Sequence, residues 1–419
     1  MRQDEHPPDL LTRYERVVNP GLARVYRFMG LEGIEASGHG AVLIDEQGQE
    51  YIDMAGGYGV MAHGYRHPRI LRAAERQLKG LAQSSRILLN RPLVELAEEL
   101  ARVAPGDLTY SFFCNSGTEA VEAALKLARA ATGRKNWIST MGAFHGKTFG
   151  ALSVSGRDAY RDPFQPLVPV VVHVPYGDAR AIREQLNDEV AAVIVEPIQG
   201  EGGVVVPPTE YLQEVRRDCD KAGALLIADE VQTGMGRTGR LFAVEHSGVV
   251  PDLMCLAKAL GGGIMPIGAV IGRPHVFEVF AQHPLIHTST FGGSPLAAAV
   301  ALEAIRVAIE EKLPERAREL GQRARQRLDA MWATYPRVIQ EVRGMGLMIG
   351  IELPSAGVAG ALMAELMQRQ VLAVYTLNND RVVRLIPPLV ITEAQLDLAL
   401  DAIESAAGAI DSYIDELGD

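Results

Sequence analysis

The chain has 419 residues, of which 47% are hydrophobic and 22% charged, and its formal net charge is −11 at pH 7. This balance is typical of a water-soluble globular protein, and the negative charge argues against binding to nucleic acid or to an anionic membrane surface. A chain of this length is expected to fold into two or three lobes rather than around one core.

The N-terminal segment MRQDEHPPDL has no apolar core of the kind that a secretion signal requires, and no apolar run in the chain reaches the length of a membrane span. The three cysteines, Cys114, Cys219 and Cys255, show no CxxC spacing, so the sequence indicates neither a disulfide framework nor a zinc site. We therefore expect a cytoplasmic protein without a bound metal.

The N-terminal region begins with about a dozen residues, including Pro7 and Pro8, that are expected to be irregular. Residues 41–54 then alternate apolar and polar side chains around a Gln47-Gly48 turn, which predicts a β-hairpin. A helix is expected to begin near Pro68 in HPRILRAAERQL, because proline is favoured in the first turn of a helix.

The middle of the chain alternates helices with buried strands. Helical segments are predicted to end at Gly133 and Gly223, and apolar strands are predicted at 191–197 and 224–230. This alternation predicts a largely parallel sheet with helices on both faces, which binds ligands at the carboxyl ends of its strands. Three acidic residues lie at such ends: Glu196, Asp229 and Glu230.

From about residue 305 the pattern changes to a long charged helix, followed by shorter segments of both kinds and a last helix. The last helix is predicted to begin at Thr392, which forms a capping-box spacing with Gln395. We interpret residues 61–305 as a large domain and expect residues 1–60 and 306–419 to form a smaller α+β domain together.

One lysine, Lys258, lies in an uncharged stretch, since residues 253–272 contain no other ionisable group except the thiol of Cys255. Lys258 could lie along an apolar surface with its amine in water. Alternatively, its amine is desolvated, which lowers its pKa and makes it a nucleophile able to form a Schiff base. The stretch alone leaves both interpretations open.

Two further segments carry groups that could bind a phosphate and a ring cation. In CNSGTEA, residues 114–120, the start of a helix could bind an anion with the help of the Ser116 and Thr118 hydroxyls, although Ser116 and Glu119 also have capping-box spacing. Asp229 ends a buried strand and requires a cation or a donor, either a protonated pyridine or an ordinary protein partner. Together with a Schiff-base lysine, these are the groups that pyridoxal phosphate requires.

Seven segments of the chain resemble, in sequence and in order, the motifs of the class III pyridoxal-phosphate aminotransferases. They are NSGTEAVEAALKLAR, AFHGKT, VEPIQGEGG, IADEVQTGMGRTG, AKALGGG, STFGGSPLA and RLIPPL. The resemblance runs from about residue 40 to the end of the chain. It implies the α/β fold type I of pyridoxal-phosphate enzymes, with a mostly parallel sheet in the large domain and pyridoxal 5'-phosphate as cofactor.

The resemblance also implies roles for individual residues in cofactor binding. It identifies Lys258 as the residue that binds the cofactor covalently and transfers protons, and Asp229 as the partner of the pyridine nitrogen. It places Phe144 and Val231 against the ring and Gln232 near the phenolic oxygen. The other cofactor contacts expected at this site are Ser116, Gly117, Thr118, His145, Glu196 and Thr290. Thr290 is expected to reach the cofactor of a neighbouring subunit, in a homodimer or a dimer of dimers.

Substrate contacts are expected from Arg384, Glu201, Lys147 and Tyr58. The resemblance implies that Arg384 binds an α-carboxylate, as its planar fork of donors suits, and that Glu201 can neutralise it. Many ω-amino-acid members of the family have arginine where this chain has Lys147, which either contacts the substrate as a point charge or lies exposed. The segments GGYGVMAHGYRHP, AFHGKTFGAL and LAVYTLNND are similar to the putrescine aminotransferase branch.

The expected reaction moves an amino group from an ω-amine, such as putrescine, cadaverine or an ω-amino acid, to 2-oxoglutarate through pyridoxamine phosphate. Acetylornithine, ornithine and 4-aminobutyrate remain alternative donors. The quoted segments do not exclude an aminomutase or racemase of the same family, which a keto-acid-dependent amine exchange assay would distinguish. A non-catalytic binding protein is disfavoured because Lys258 and Asp229 are both present.

Overall fold

The computed structural model describes residues 9–30 and 33–417 of the chain. The helices in these residues are α1 (Leu10–Val17), α2 (Pro20–Phe28), α3 (Gly56–Gly59), α4 (Pro68–Leu78), α5 (Arg91–Val103), α6 (Gly117–Thr132), α7 (Phe149–Val154), α8 (Asp158–Arg161), α9 (Ala179–Gln185), α10 (Tyr211–Ala222), α11 (Pro274–Gln282), α12 (Pro295–Glu310), α13 (Leu313–Thr334), α14 (Ala356–Gln368) and α15 (Glu393–Tyr413). The strands are β1 (Glu35–His39), β2 (Val42–Asp45), β3 (Glu50–Asp53), β4 (Tyr110–Cys114), β5 (Asn136–Thr140), β6 (Val171–Val174), β7 (Val190–Val195), β8 (Leu225–Asp229), β9 (Leu253–Leu256), β10 (Gly268–Gly272), β11 (Glu341–Met345), β12 (Met348–Glu352), β13 (Val371–Leu372), β14 (Val374–Tyr375) and β15 (Val382–Leu385).

The N-terminal region is more regular than its sequence predicts. Helix α1 begins at Leu10 because the Asp9 side chain accepts a hydrogen bond from the backbone N–H of Thr12 at 2.9 Å and caps the helix. The expectation of an irregular chain is therefore wrong for residues 10–12, and its first eight residues, with Pro7 and Pro8, lie outside the described residues.

Both ends of the chain contribute to one small sheet, in the order β1-β2-β3-β13. Strands β2 and β3 pair antiparallel, so the predicted hairpin is confirmed. Strand β13 pairs parallel with β3, and its Val371 lies opposite Ile52. This pairing agrees with the expected small domain, whose boundaries at 60 and 305 stay a prediction.

The large sheet of the described residues has the order β4-β10-β9-β8-β7-β5-β6. Only β10 runs antiparallel to its neighbours, β4 and β9, so the predicted largely parallel sheet is confirmed. Both faces of the sheet are covered: along β7, Ala192 and Ile194 pack into one apolar cluster, whereas Val193 and Val195 pack into another.

Local signals position the helices around this sheet. Helix α4 begins at Pro68, and helices α6 and α10 end at Gly133 (φ 68°) and Gly223 (φ 64°), which adopt the left-handed conformation. These three predictions are confirmed. None of the described helices combines the length and the apolar character needed to cross a bilayer.

The C-terminal part forms an antiparallel sheet, β11-β12-β15-β14, with α13 and α14 packed against it and α15 packed against these two helices. The expected long charged helix begins later than predicted, because α12 continues across residue 305 to Glu310 and α13 begins only at Leu313. Lys312, in the left-handed conformation at φ 54°, separates the two helices. The capping box of α15 is confirmed, since Thr392 and Gln395 hydrogen-bond to each other's backbone N–H.

Candidate active site

A cavity of about 450 Å³ lies at the carboxyl ends of the central parallel strands. Asp229 ends β8, Glu196 follows β7, and Lys258 follows β9 after Ala257. The predicted site residues that line this cavity are Ser116, Gly117, Thr118, Phe144, His145, Glu196, Glu201, Asp229, Val231, Gln232 and Lys258. The ligand position expected from a parallel sheet is therefore the place where these side chains meet.

Lys258 has the backbone and the acidity of a reactive lysine. It begins a short 3₁₀ turn with φ at 45°, in the left-handed region that a non-glycine residue occupies at a cost of about 1 kcal/mol or more. Burial lowers the pKa of its amine to about 8, although the nearby carboxylates of Glu201 and Asp229 favour the protonated form. A substantial fraction of the amine is therefore neutral near pH 8, which suits nucleophilic attack on a carbonyl.

Asp229 is held in the cavity by a histidine. Its Oδ2 lies 2.7 Å from Nδ1 of His145, and its Oδ1 accepts a hydrogen bond from the backbone N–H of Val231 at 3.0 Å. Asp229 is only 4% exposed, and no arginine or lysine among the described residues forms a salt bridge with it. A carboxylate oxygen accepts more than one hydrogen bond, so Asp229 can also bind a cationic N–H in the cavity.

The start of α6 forms another part of the cavity wall. The first N–H groups of a helix have no partner within the helix, so Gly117 and Thr118 can donate to an anion. A side chain at Gly117 would place its Cβ 2.8 Å from Cγ1 of Val231, so this close approach requires glycine. Ser116 caps α6 by accepting from the N–H of Glu119 at 3.3 Å, but the Glu119 side chain accepts from the N–H of Asn115 rather than of Ser116, so only half of the capping box forms.

These groups fit pyridoxal phosphate. The helix start offers donors for the phosphate, Asp229 an acceptor for the ring N–H, and Lys258 an amine for the aldehyde. Phe144 and Val231 add apolar surface to the same cavity. The fit follows from these contacts in the described structure, independently of any resemblance.

Arg384, on β15, is fully buried and pairs with Glu201. Its Nη1 donates to Oε1 of Glu201 at 2.6 Å and to Oε1 of Gln232 at 3.1 Å. Burial would raise the pKa of Glu201, but the charges of Arg384 and Lys258 outweigh it and hold this pKa below its usual value. Within residues 9–30 and 33–417, Nε and Nη2 of Arg384 have no hydrogen-bond partner. Both donors are buried, and Arg384 does not line the cavity while it is paired with Glu201.

Glu196 and Glu230 differ in role although both follow buried strands. Glu196 accepts hydrogen bonds from the backbone N–H of Phe144 at 2.9 Å and of Gly200 at 3.0 Å, so it ties together two segments of the cavity wall. Burial raises its pKa to about 7. Glu230 hydrogen-bonds to Thr233 and to the N–H of Val244 and does not line the cavity.

Four predicted residues lie outside the cavity wall: Arg384, Tyr58, Lys147 and Thr290. Tyr58 is near Arg384, whose Cζ lies 6.0 Å from the centre of the tyrosine ring. Lys147 is exposed, and its Nζ lies 4.2 Å from the centre of the Tyr160 ring. Thr290 is also exposed on this chain.

Sequence reasoning missed part of the cavity wall, namely Val60, Asn115, Gly146, Ala257 and residues 263–267. Asn115 directly precedes the cap of α6, and residues 263–267 begin with the last glycine of the run 261–263. Gly262 and Gly263 have φ of 59° and 71°, and these left-handed conformations turn the chain back toward the cavity. The glycine run was the available signal for this turn.

The chain is similar to a known protein family and to several solved structures. A family model described as aminotransferase class-III matches residues 34–407. The ornithine aminotransferase from Toxoplasma gondii ME49 is 37% identical, over 91% of this chain and 92% of its own, with a TM-score of 0.87. An amine transaminase from an uncultivated Pseudomonas species, solved in a PLP-bound form, is 30% identical over 90% of this chain and 95% of its own, with a TM-score of 0.84.

A third similar structure is an omega transaminase engineered for asymmetric synthesis of enantiopure bulky amines. It is 29% identical to this chain, and the match covers 94% of this chain and 96% of the transaminase, with a TM-score of 0.87. Each of the three similarities extends over at least 90% of this chain.

Proposed function

We propose that this chain, which belongs to the class III aminotransferases, transfers an amino group from an ω-amine donor to 2-oxoglutarate. The chain is a pyridoxal-phosphate-dependent transaminase with the α/β fold type I of its family. What we propose is the identity of the amino donor and of the amino acceptor. The observation that carries them is the buried contact between Arg384 and Glu201 beside the reactive lysine.

Pyridoxal phosphate, when bound, supplies a ring that takes up the negative charge developing at the amine carbon. Gly117 and Thr118 would bind its phosphate at the start of α6, and Asp229, oriented by His145, would keep the ring nitrogen protonated. Lys258 would hold the group covalently. Once released, its amine, with its lowered pKa, would take the proton from the substrate carbon and deliver it to the carbon that had carried the aldehyde of the cofactor.

The pairing of Arg384 with Glu201 supports two substrates of different charge. A diamine has no α-carboxylate, so Glu201 stays on Arg384 and prevents an unpaired buried cation. When 2-oxoglutarate or glutamate binds, its α-carboxylate takes the place of Glu201 on Nη1 and also accepts from Nη2, which has no other partner in the described part of the chain. Lys147 contacts the ring of Tyr160 and cannot offer the two parallel donors of an arginine to a distal carboxylate. This supports an amino donor that has no distal carboxylate to be bound.

We further propose a homodimer, or a dimer of dimers, in which Thr290 reaches the cofactor of the partner subunit. Large apolar side chains near Thr290 support this, because Ile87, Leu88, Leu89 and Phe291 are exposed. Arg86 donates to the carbonyl oxygen of Gly292 and joins the two segments. A cytoplasmic location remains part of the same proposal.

Ornithine or acetylornithine is the second candidate donor, favoured by the similarity to the T. gondii ornithine aminotransferase. The test is a panel of amino donors with 2-oxoglutarate, with glutamate measured as product. Putrescine or cadaverine is expected to exceed 4-aminobutyrate. A panel led by ornithine or acetylornithine would replace the diamine proposal, and product formation without a keto acid would indicate an aminomutase or racemase.

A further inference from the structure

The carboxylate of Glu201 is held from two sides. Its Oε1 accepts a hydrogen bond from Nη1 of Arg384, whereas its Oε2 accepts one from the backbone N–H of Leu377 at 2.9 Å. The backbone N–H of Asn378 also donates to the carbonyl oxygen of Glu201, at 2.9 Å. Two consecutive residues of one loop therefore hold both the backbone and the side chain of Glu201 in the orientation that pairs with Arg384.

This loop, residues 376–381, joins β14 to β15, and Asn378 attaches it to the segment that follows β5. Nδ2 of Asn378 donates to the carbonyl oxygens of Gly142 at 2.8 Å and Ala143 at 3.2 Å. These two residues immediately precede Phe144 in the cavity wall. The loop is thus bound to Glu201 on one side and to the cavity wall on the other.

Tyr160 provides a second attachment of the loop, since its hydroxyl donates to the carbonyl oxygen of Leu377 at 3.1 Å. Two cationic side chains lie over its ring, with Nζ of Lys147 at 4.2 Å and Cζ of Arg157 at 4.9 Å from the ring centre. Such cation–π contacts stabilise the position of the ring. Lys147 is therefore connected to Glu201 through Tyr160 and Leu377.

We propose that Asn378, assisted by Tyr160, is a positioning residue that holds Glu201 on Arg384 and so determines how readily Arg384 accepts a substrate carboxylate. The inference rests on the proposed function, because it concerns exchange between a donor without an α-carboxylate and an acceptor with one. Glu201 and the substrate carboxylate compete for one arginine. Each hydrogen bond that fixes Glu201 favours the paired state, so weakening the loop shifts the equilibrium toward carboxylate binding.

The test measures the binding of glutarate, a dicarboxylate without an amino or keto group, to the holoenzyme by titration calorimetry. Asn378→Ala removes both side-chain bonds of the loop to the cavity wall, and the Kd of glutarate is expected to fall about five- to tenfold. Tyr160→Phe removes one bond and keeps the ring, so a fall of about two- to fivefold is expected. Asn379→Ala is the matched control and should bind glutarate as the wild type does. Among the described residues, the Asn379 side chain hydrogen-bonds only to the N–H of Arg381 in the same loop.

The direction of the change separates positioning from a general structural role. If the loop only supports the fold, substitutions that weaken it should make the enzyme bind glutarate more weakly. If the loop restrains Glu201, the same substitutions should make the enzyme bind glutarate more tightly. Unchanged or weaker binding in both Asn378→Ala and Tyr160→Phe would overturn the inference, as would tightening by Asn379→Ala to the same extent.

A double substitution tests whether Asn378 acts through Glu201. In the Glu201→Ala background, Asn378→Ala should change the Kd of glutarate by less than about twofold; a tightening as large as in the wild type would contradict the inference. The proposed function is tested separately by amine turnover. An enzyme that accepts no ω-amine donor would refute that function while the glutarate measurements still decide the role of Asn378.

Discussion

Replacing Glu201 with alanine should slow the amine half-reaction much more than the glutamate half-reaction. The side chain of Arg384 is fully buried and that of Glu201 is 5% exposed, so Glu201→Ala leaves an arginine without its counter-ion. An aliphatic amine provides no replacement. Glutamate brings an α-carboxylate that restores the pair, so only the amine half-reaction meets an uncompensated charge.

The size of the effect follows from the burial of the pair. Removing one partner of a buried ion pair costs about 3–5 kcal/mol. In the free enzyme, water entering the cavity relieves part of this cost, which returns when an aliphatic amine fills the cavity. Taking about 3 kcal/mol, kcat/KM for the amine half-reaction should fall roughly 100-fold, since about 1.4 kcal/mol corresponds to a factor of ten. The glutamate half-reaction should change by less than about tenfold.

The assay follows each half-reaction separately by the absorbance of the cofactor after rapid mixing with cadaverine or with L-glutamate. Glu201→Gln, which keeps the length of the side chain and loses its charge, serves as the intermediate control. Arg384→Ala should show the opposite preference and slow the glutamate half-reaction more. If Glu201→Ala slows both half-reactions by the same factor, the exchange of Glu201 for a substrate carboxylate is refuted.

Three further predictions concern the cofactor site. Lys258→Ala should still bind pyridoxal phosphate but not covalently, so borohydride should fix the cofactor to the wild type alone; equal labelling of both would place the attachment at another lysine. Asp229→Ala should slow transamination about 1,000-fold, or several kcal/mol, with an unchanged fold by circular dichroism, whereas near-normal turnover would make this carboxylate structural. Because burial lowers the pKa of Lys258 from 10.5 to about 8 and its neutral amine is the reactive form, the rate of cofactor attachment to the apoenzyme should rise with pH up to about 8 and then level off; a rise that continues toward 10.5 would contradict the desolvated lysine.

The sequence by itself determined the elements that depend on local hydrogen bonding and on apolar periodicity. The capping box of Thr392 and Gln395, the left-handed end of α6 at Gly133 and the buried strands β7 and β8 each depend on a few neighbouring residues, so they could be predicted. The order of the family segments also identified the cofactor and the class of reaction, both of which the comparisons confirm.

Tertiary structure alone decided which of these residues meet. Glu201 and Arg384 are 183 positions apart, and His145 and Asp229 are 84 apart, so their contacts depend on how β15 and the strand ends of the large sheet pack together. It also decided that Lys147 lies on Tyr160, because that contact requires the loop after β5 and helix α8 to approach each other. Spacing along a chain constrains such distances only weakly, since packing of several elements sets them.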